Sequence, residues 1–206
     1  MIYLSDDYLT KYGDVIGYLI GRAISENYSH LFIEHSISYS SMVYELERSN
    51  ITTIAFSSCE AIYQSIFPKK DNKGYLYSPY DVYGWLGYTY IHLFLDLEIT
   101  FELLFILLPI DEAINMYPLY HEMDYQRTLE YVKSRIKYSY LDLIMNNKNL
   151  SSKDISNSSG LSFSTIQALR YGKRDINKLE AYKLLLLANS IGVKIESLMT
   201  NINLKK

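Results

Sequence analysis

Apolar residues recur along this chain three and four positions apart, and no Asn-Gly or Asp-Gly pair joins alternating runs, so the pattern predicts helices without hairpins. A first helix is expected from Asp6 and Asp7, whose carboxylates suit a positive helix end, with Leu9, Tyr12, Val15, Ile16, Leu19 and Ile20 on one stripe. One or two shorter helices are expected between Ser29 and Asn50, with Met42, Val43 and Leu46 inward, and another from Thr53 to Ile66. Pro68, Lys69, Lys70, Asp71, Asn72, Lys73 and Gly74 then break the pattern and predict a loop. In SPYDVYGWLGYTYIHLFLDL, Ser78 reads as an N-cap with Pro79 at the first helical position. Thr100 and Glu102 open a second apolar helix that Pro109 ends, and Asp111 or Glu112 opens a short third. Asp124 reads as the cap of a helix running unbroken from Tyr125 to Asn147, which would leave no flexible linker there.

The pattern changes in the last third. Ser151 or Ser152 is expected to cap a helix whose inward positions are Ile155 and the small Ser156. Gly160 follows where a tight turn needs positive φ, Leu161 fills the angle between two helices, and Ser162 caps the next one. In that helix Ile166 and Leu169 face the core and leave Phe163, Ser164, Thr165, Gln167, Ala168, Arg170 and Tyr171 for the opposite side or its margins. Leu179, Leu184, Leu185, Leu187, Ile191, Ile195 and Leu198 are expected to close the domain. The fold class is therefore all-α, an N-terminal helical domain followed by a C-terminal five-helix domain.

Charge divides the chain in the same way. Residues 135–206 hold 12 Lys/Arg against 5 Asp/Glu, a surplus of +7, whereas residues 1–134 hold 8 against 18, or −10. The net −3 thus joins a basic module to an acidic one. A basic surface attracts a polyanion through counterion release, and an acidic one repels nucleic acid and is free for a protein. Two helices meeting at a tight turn can set the second into a major groove. Ser164, Thr165 and Gln167 then suit base edges, with Ser162 as cap and Phe163 and Tyr171 on the groove side or its margins, while the cations Lys153, Arg170, Lys173 and Arg174 suit phosphates.

Residues from about 138 to 201 resemble the lambda-repressor/Cro-type (XRE-like) helix-turn-helix family. The resemblance rests on Ile155, Ser156, Asn157 to Ser159, Gly160, Leu161 and Ser162, on Tyr171-Gly172-Lys173-Arg174 after the second helix, and on the closing segment Ala188 to Val193. It implies operator binding. Ser156 stands where that family usually has alanine, and Arg170-Tyr171 where it often has acidic or polar residues, departures that bear on sequence preference more than on fold. The alternative is a small helical bundle contacting proteins, with its basic residues as a solvated face.

Eighteen of the 22 tyrosines precede residue 135, which suits either a protein-binding surface or an ordinary aromatic core. The segment from about Asn50 to Tyr131 is similar to uncharacterised helical proteins of toxin-antitoxin-like operons. Phosphate loops, nucleophile elbows and zinc-spaced Cys/His clusters are absent from the sequence. His121, Glu122 and Asp124 could form an acid/base or metal set, but a capped helix start explains them better. Arg22 and His30 resemble the Arg…His pair of some helical RNases at too long a spacing. His35 and His92 read as core histidines, Trp85 as a core anchor, and Cys59 as a small buried residue. One cysteine forms no internal disulfide, and the apolar run from Leu103 to Ile110 falls short of the roughly 20 residues a bilayer needs. A cytoplasmic protein is expected, with no enzyme activity, cofactor or metal.

The expected function is a sequence-specific DNA-binding regulator of bacterial or phage origin, in its most concrete form an antitoxin-like autorepressor. A homodimer on a two-fold double-stranded operator is expected, because one module covers only a few base pairs. The alternative is a protein-interaction module, such as a toxin neutraliser or an inhibitor of a nucleic-acid enzyme, working through residues 1–134.

Overall fold

The computed structural model describes residues 6–48, 57–68 and 75–199. Among them the fold is all-α, with thirteen α-helices, one 3-10 turn and no strand. The chain divides into two compact units, Met1–Leu129 and Glu130–Lys206.

The first unit contains α1 (Asp6–Ser25), α2 (His30–Ser38), α3 (Ser41–Glu47), α4 (Cys59–Ile66), α5 (Val82–Leu97), α6 (Phe101–Leu107) and α7 (Ile110–Tyr120), and α8 (Tyr125–Ser134) begins in it. Its spine is the pair α1 and α5. Gly13, Gly17 and Gly21 recur every fourth residue on α1; Gly13 and Gly17 face the α5 backbone at Gly87 and Tyr83, so backbones approach where side chains would otherwise hold them apart, while the Tyr75 hydroxyl and the Tyr83 ring lie over Gly21. Tyr12, Ile16, Leu19 and Ile20 of α1 and Leu86, Tyr90 and Leu93 of α5 are fully buried. The Tyr77 hydroxyl lies over Gly17 and donates to Asp14 Oδ1 at 3.0 Å.

Hydroxyl and carboxylate caps set most helix starts. Ser29, Ser40, Ser58 and Thr100 each accept the third N–H of the helix that follows. Two expectations are corrected. The helix expected from Ser78 begins instead at Val82, because Asp81 accepts both Tyr83 N–H at 2.8 Å and Gly84 N–H at 3.1 Å, while Ser78 forms a turn by accepting Tyr80 N–H. The helix expected from Tyr125 to Asn147 is two helices, α8 and α9 (Tyr140–Asn147). Ser139, extended at φ −158 and ψ 166, accepts Asp142 N–H and donates to the Arg170 carbonyl at 2.7 Å, two bonds that restart the helix. Thr53 to Phe56, placed in a helix by their pattern, and the loop residues 69–74 lie outside the described residues.

Most of the apolar run from Leu103 to Ile110 is buried: Leu103, Leu104, Phe105, Leu107, Leu108 and Ile110 are all in the core. Among the described residues no single helix is long and apolar enough to cross a membrane, and the pair α6 and α7, which would suffice by length and composition, is bent by 63°.

Glu34 supplies a cap that the local sequence lacks. Pro109 precedes α7 without a side-chain cap, and Glu34 of α2 accepts Ile110 N–H at 2.7 Å. Burial pushes the Glu34 carboxyl up to about 7 against the Ile110 hydrogen bond, and the Asp111 charge adds to the rise. A carboxyl raised above its unfolded value favours folding when protonated, so its contribution is full below the ordinary value of 4.5 and is lost as pH rises through about 7. Thermal melts between about pH 5 and about pH 8.5 will show the chain losing stability as this group ionises, and Glu34→Gln, which keeps the acceptor, will flatten that slope. Equal slopes in parent and variant would remove Glu34 from the account.

Candidate nucleic-acid interface

The second unit contains α9, α10 (Ser152–Ser159), α11 (Phe163–Arg170), a 3-10 turn (Ile176–Lys178), α12 (Ala181–Ile191) and α13 (Ile195–Leu198). A capping box starts α10: Ser151 Oγ accepts Asp154 N–H at 3.2 Å, and Asp154 accepts Ser151 N–H at 3.0 Å. The Ser151 hydroxyl, which also donates to Asp154 Oδ2, and then the Ser151 N–H hold the exposed Asp154 carboxyl below its ordinary value. Gly160 ends α10 at φ 71 and ψ 3, a conformation that costs a side-chain-bearing residue about 1–2 kcal/mol.

Serines satisfy the turn that follows. Ser156 donates to the Leu161 carbonyl at 2.7 Å, so its hydroxyl secures the turn where alanine would only pack. Ser159 donates to the Ile155 carbonyl at 2.6 Å and accepts Leu161 N–H, while the Leu161 side chain is buried. Ser162 then accepts Thr165 N–H at 3.2 Å and starts α11. Ile166 and Leu169 are buried, and α11 packs against α9 and α10.

The opposite side of α11 is open. Lys153, Ser162, Phe163, Ser164, Tyr171, Lys173 and Arg174 are exposed, and Thr165 and Gln167 are half-buried. Tyr171 meets the Tyr138 ring edge-on at 5.2 Å. Gly172, at φ 67, turns the chain so that Arg174 N–H reaches the Ala168 carbonyl.

Arg170 does not stand among the open cations. Its Nε donates to Asp142 Oδ1 at 2.7 Å and its Nη2 to Asn146 Oδ1 at 2.6 Å, with side-chain exposures of 16% for Arg170 and 5% for Asp142. Arg170 therefore fixes α11 to α9, and Lys153, Lys173 and Arg174 remain as cations on the exposed surface. The sequence reading missed Ser139, Asp142 and Asn146; a lone carboxylate on the apolar face of YLDLIM was the available signal. Leu185, expected to close the core, is 47% exposed on α12 beside Tyr182 at 70%.

In the first unit, Arg22 is turned away from any pairing with His30. It is buried, bonded to Glu26 at 3.0 Å, to Glu60 and to the Tyr18 hydroxyl, and lies 4.1 Å from the Tyr63 ring centroid. His35 is exposed and stacked on Tyr39, and His92 is half-buried beside Tyr88, so neither is a core histidine. Trp85 is likewise half-buried, edge-on to Tyr117. His121 Nδ1 lies 2.5 Å from the Tyr117 carbonyl, and Asp124 accepts Gln126 N–H at the start of α8. Among the described residues no three His, Cys, Asp or Glu side chains gather as a metal site. Burial and the nearby Asp14 push the half-buried Cys59 thiol upward, away from a reactive thiolate.

Comparison with protein-family models, with characterised proteins and with solved structures found no match to this chain.

Proposed function

We propose that this chain is a sequence-specific DNA-binding regulator, that residues 135–206 bind a double-stranded operator, and that it acts as a homodimer. The observation that carries this reading is the two-sided character of α11: Ile166 and Leu169 are buried, while Ser162, Phe163 and Ser164 are exposed at its start. Lys153 on α10 and Lys173 and Arg174 after α11 supply phosphate contacts, which fix register, while the start of α11 reads base edges. The resemblance to lambda-repressor/Cro-type proteins in Ile155 to Ser162 supports the same reading. An antitoxin-like autorepressor of bacterial or phage origin is its most concrete form, with the acidic residues 1–134 holding a protein partner.

Selection of duplexes from a random pool by the full chain, followed by gel shift over a range of salt, tests it. A two-fold site is expected, with half-sites about one helical turn apart. Lys173→Ala with Arg174→Ala will weaken binding across sequences and lower the slope of log affinity against log salt by about 2, close to 0.9 for each lost phosphate contact. Binding without sequence preference at every salt concentration overturns the proposal. In that event a protein-interaction module acting through the first unit gains ground, on the exposure of Leu76 and Tyr80 at 90% and 92%.

A further inference from the structure

We infer that the site read by α11 is built on A·T base pairs, with Phe163 against a thymine methyl and Gln167 on an adenine edge; this rests on the DNA reading above. Most side chains at the start of α11 are already committed to one another. Ser162 Oγ accepts Thr165 N–H and lies within hydrogen-bond distance of the Ser164 hydroxyl at 3.1 Å and the Thr165 hydroxyl at 2.8 Å. Arg170, at the far end, is held by Asp142 and Asn146. Two side chains are left. Phe163 is 49% exposed and stacks on no other ring among the described residues, and the Gln167 side-chain amide has no hydrogen-bond partner among them.

Their chemistry is selective. A phenylalanine at a base edge has one favourable neighbour in the major groove, the C5 methyl of thymine, and a glutamine amide matches the N6 and N7 pair of adenine. Guanine is read chiefly by arginine or lysine and cytosine by a carboxylate, and residues 162–167 contain no charged side chain. Spaced four apart, Phe163 and Gln167 sit one turn apart on neighbouring rows of the helix, about 6 Å between their Cβ atoms, the span of about two base-pair steps. A helix so equipped recognises neighbouring A·T pairs and gains nothing from G·C.

Single replacement of thymine by uracil, which removes only the C5 methyl, tests this on the selected duplex with the full chain. One position in each half-site is expected at which uracil weakens binding about fourfold, the worth of one methyl group withdrawn from water. Phe163→Ala will abolish the thymine/uracil difference there, Phe163→Leu will keep part of it, and neither will alter the salt slope. Gln167→Ala will relax the preference for adenine at a neighbouring position. Uracil tolerated at every position, or a thymine/uracil difference that survives Phe163→Ala, overturns the inference and leaves the DNA reading standing. Failure to select any duplex overturns both.

Discussion

Arg170→Ala will cost the second unit about 3 kcal/mol of folding stability, the low end of the range for breaking a buried ion pair by removing one partner. The loss comes less from the missing contact than from what is left behind. Asp142, with 5% of its side chain exposed, would be left buried without its counter-ion, and Asn146 would lose its donor. Arg170 itself is 16% exposed, so water reaches part of the site and the low end of the range applies. Against a total of about 5–15 kcal/mol for a domain, such a loss populates unfolded forms about a hundredfold more. Arg170→Lys will recover only part of it, because an ammonium lacks the planar fork that serves Asp142 and Asn146 together. Arg170→Met combined with Asp142→Leu will return to within about 1 kcal/mol of the parent, since removing both charges removes the orphan. Amide exchange across α9 to α12 in the full chain measures these differences within the second unit. Arg170→Ala within about 0.5 kcal/mol of the parent, the scatter expected of an ordinary surface substitution, would show that Asp142 is solvated and the pair incidental.

This pair has a functional consequence. Arg170 is joined to α9 through its side chain and through its carbonyl, which accepts the Ser139 hydroxyl. Weak DNA binding by Arg170→Ala would therefore report a displaced α11 as readily as a lost phosphate contact, whereas Lys173 and Arg174, both exposed, give the cleaner measure.

The parts of the fold legible in the sequence are those that chemistry fixes within a few residues. Gly160, Ser162, Ile166 and Leu169 declared their places because a positive φ, a hydroxyl cap and a spacing of three are local requirements. The break between α8 and α9 was hidden because helical periodicity runs through it, and the bond that restarts the helix joins Ser139 to Arg170, 31 positions away. The role of Arg170 was hidden for the same reason, its carboxylate partner lying 28 positions away. His35 was misplaced by a different error. Its apolar neighbours Phe32 and Tyr39 are themselves 41% and 47% exposed, so an apolar setting in sequence did not mean a buried one in space. The glycines of α1 were visible at every fourth position, yet nothing near them in the chain names Tyr83 and Gly87 as what they face.

That facing makes opposite outcomes for two glycine-to-alanine substitutions. A methyl at Gly87 would overlap the carbonyl oxygen of Gly13 and lie 2.7 Å from Gly17 N and 2.9 Å from Gly13 C. All three are backbone atoms of α1, which no rotamer change can move aside, so the two longest buried helices of the unit must separate and the apolar contacts along them must loosen. Overpacking usually costs about 1–3 kcal/mol where side chains can adjust; Gly87→Ala, against backbone, will cost at least about 3 kcal/mol. A methyl at Gly13 meets nothing nearer than Tyr88 Cα and N at 3.4 Å, an ordinary contact distance. Gly13→Ala therefore keeps the packing and gains the helical preference of alanine, about 0.5–1 kcal/mol of stabilisation. Thermal and denaturant unfolding of the full chain will place the two variants on opposite sides of the parent. If Gly87→Ala unfolds with the parent, α1 and α5 are not in backbone contact, and the two helices are held by side-chain packing that the glycines merely accompany.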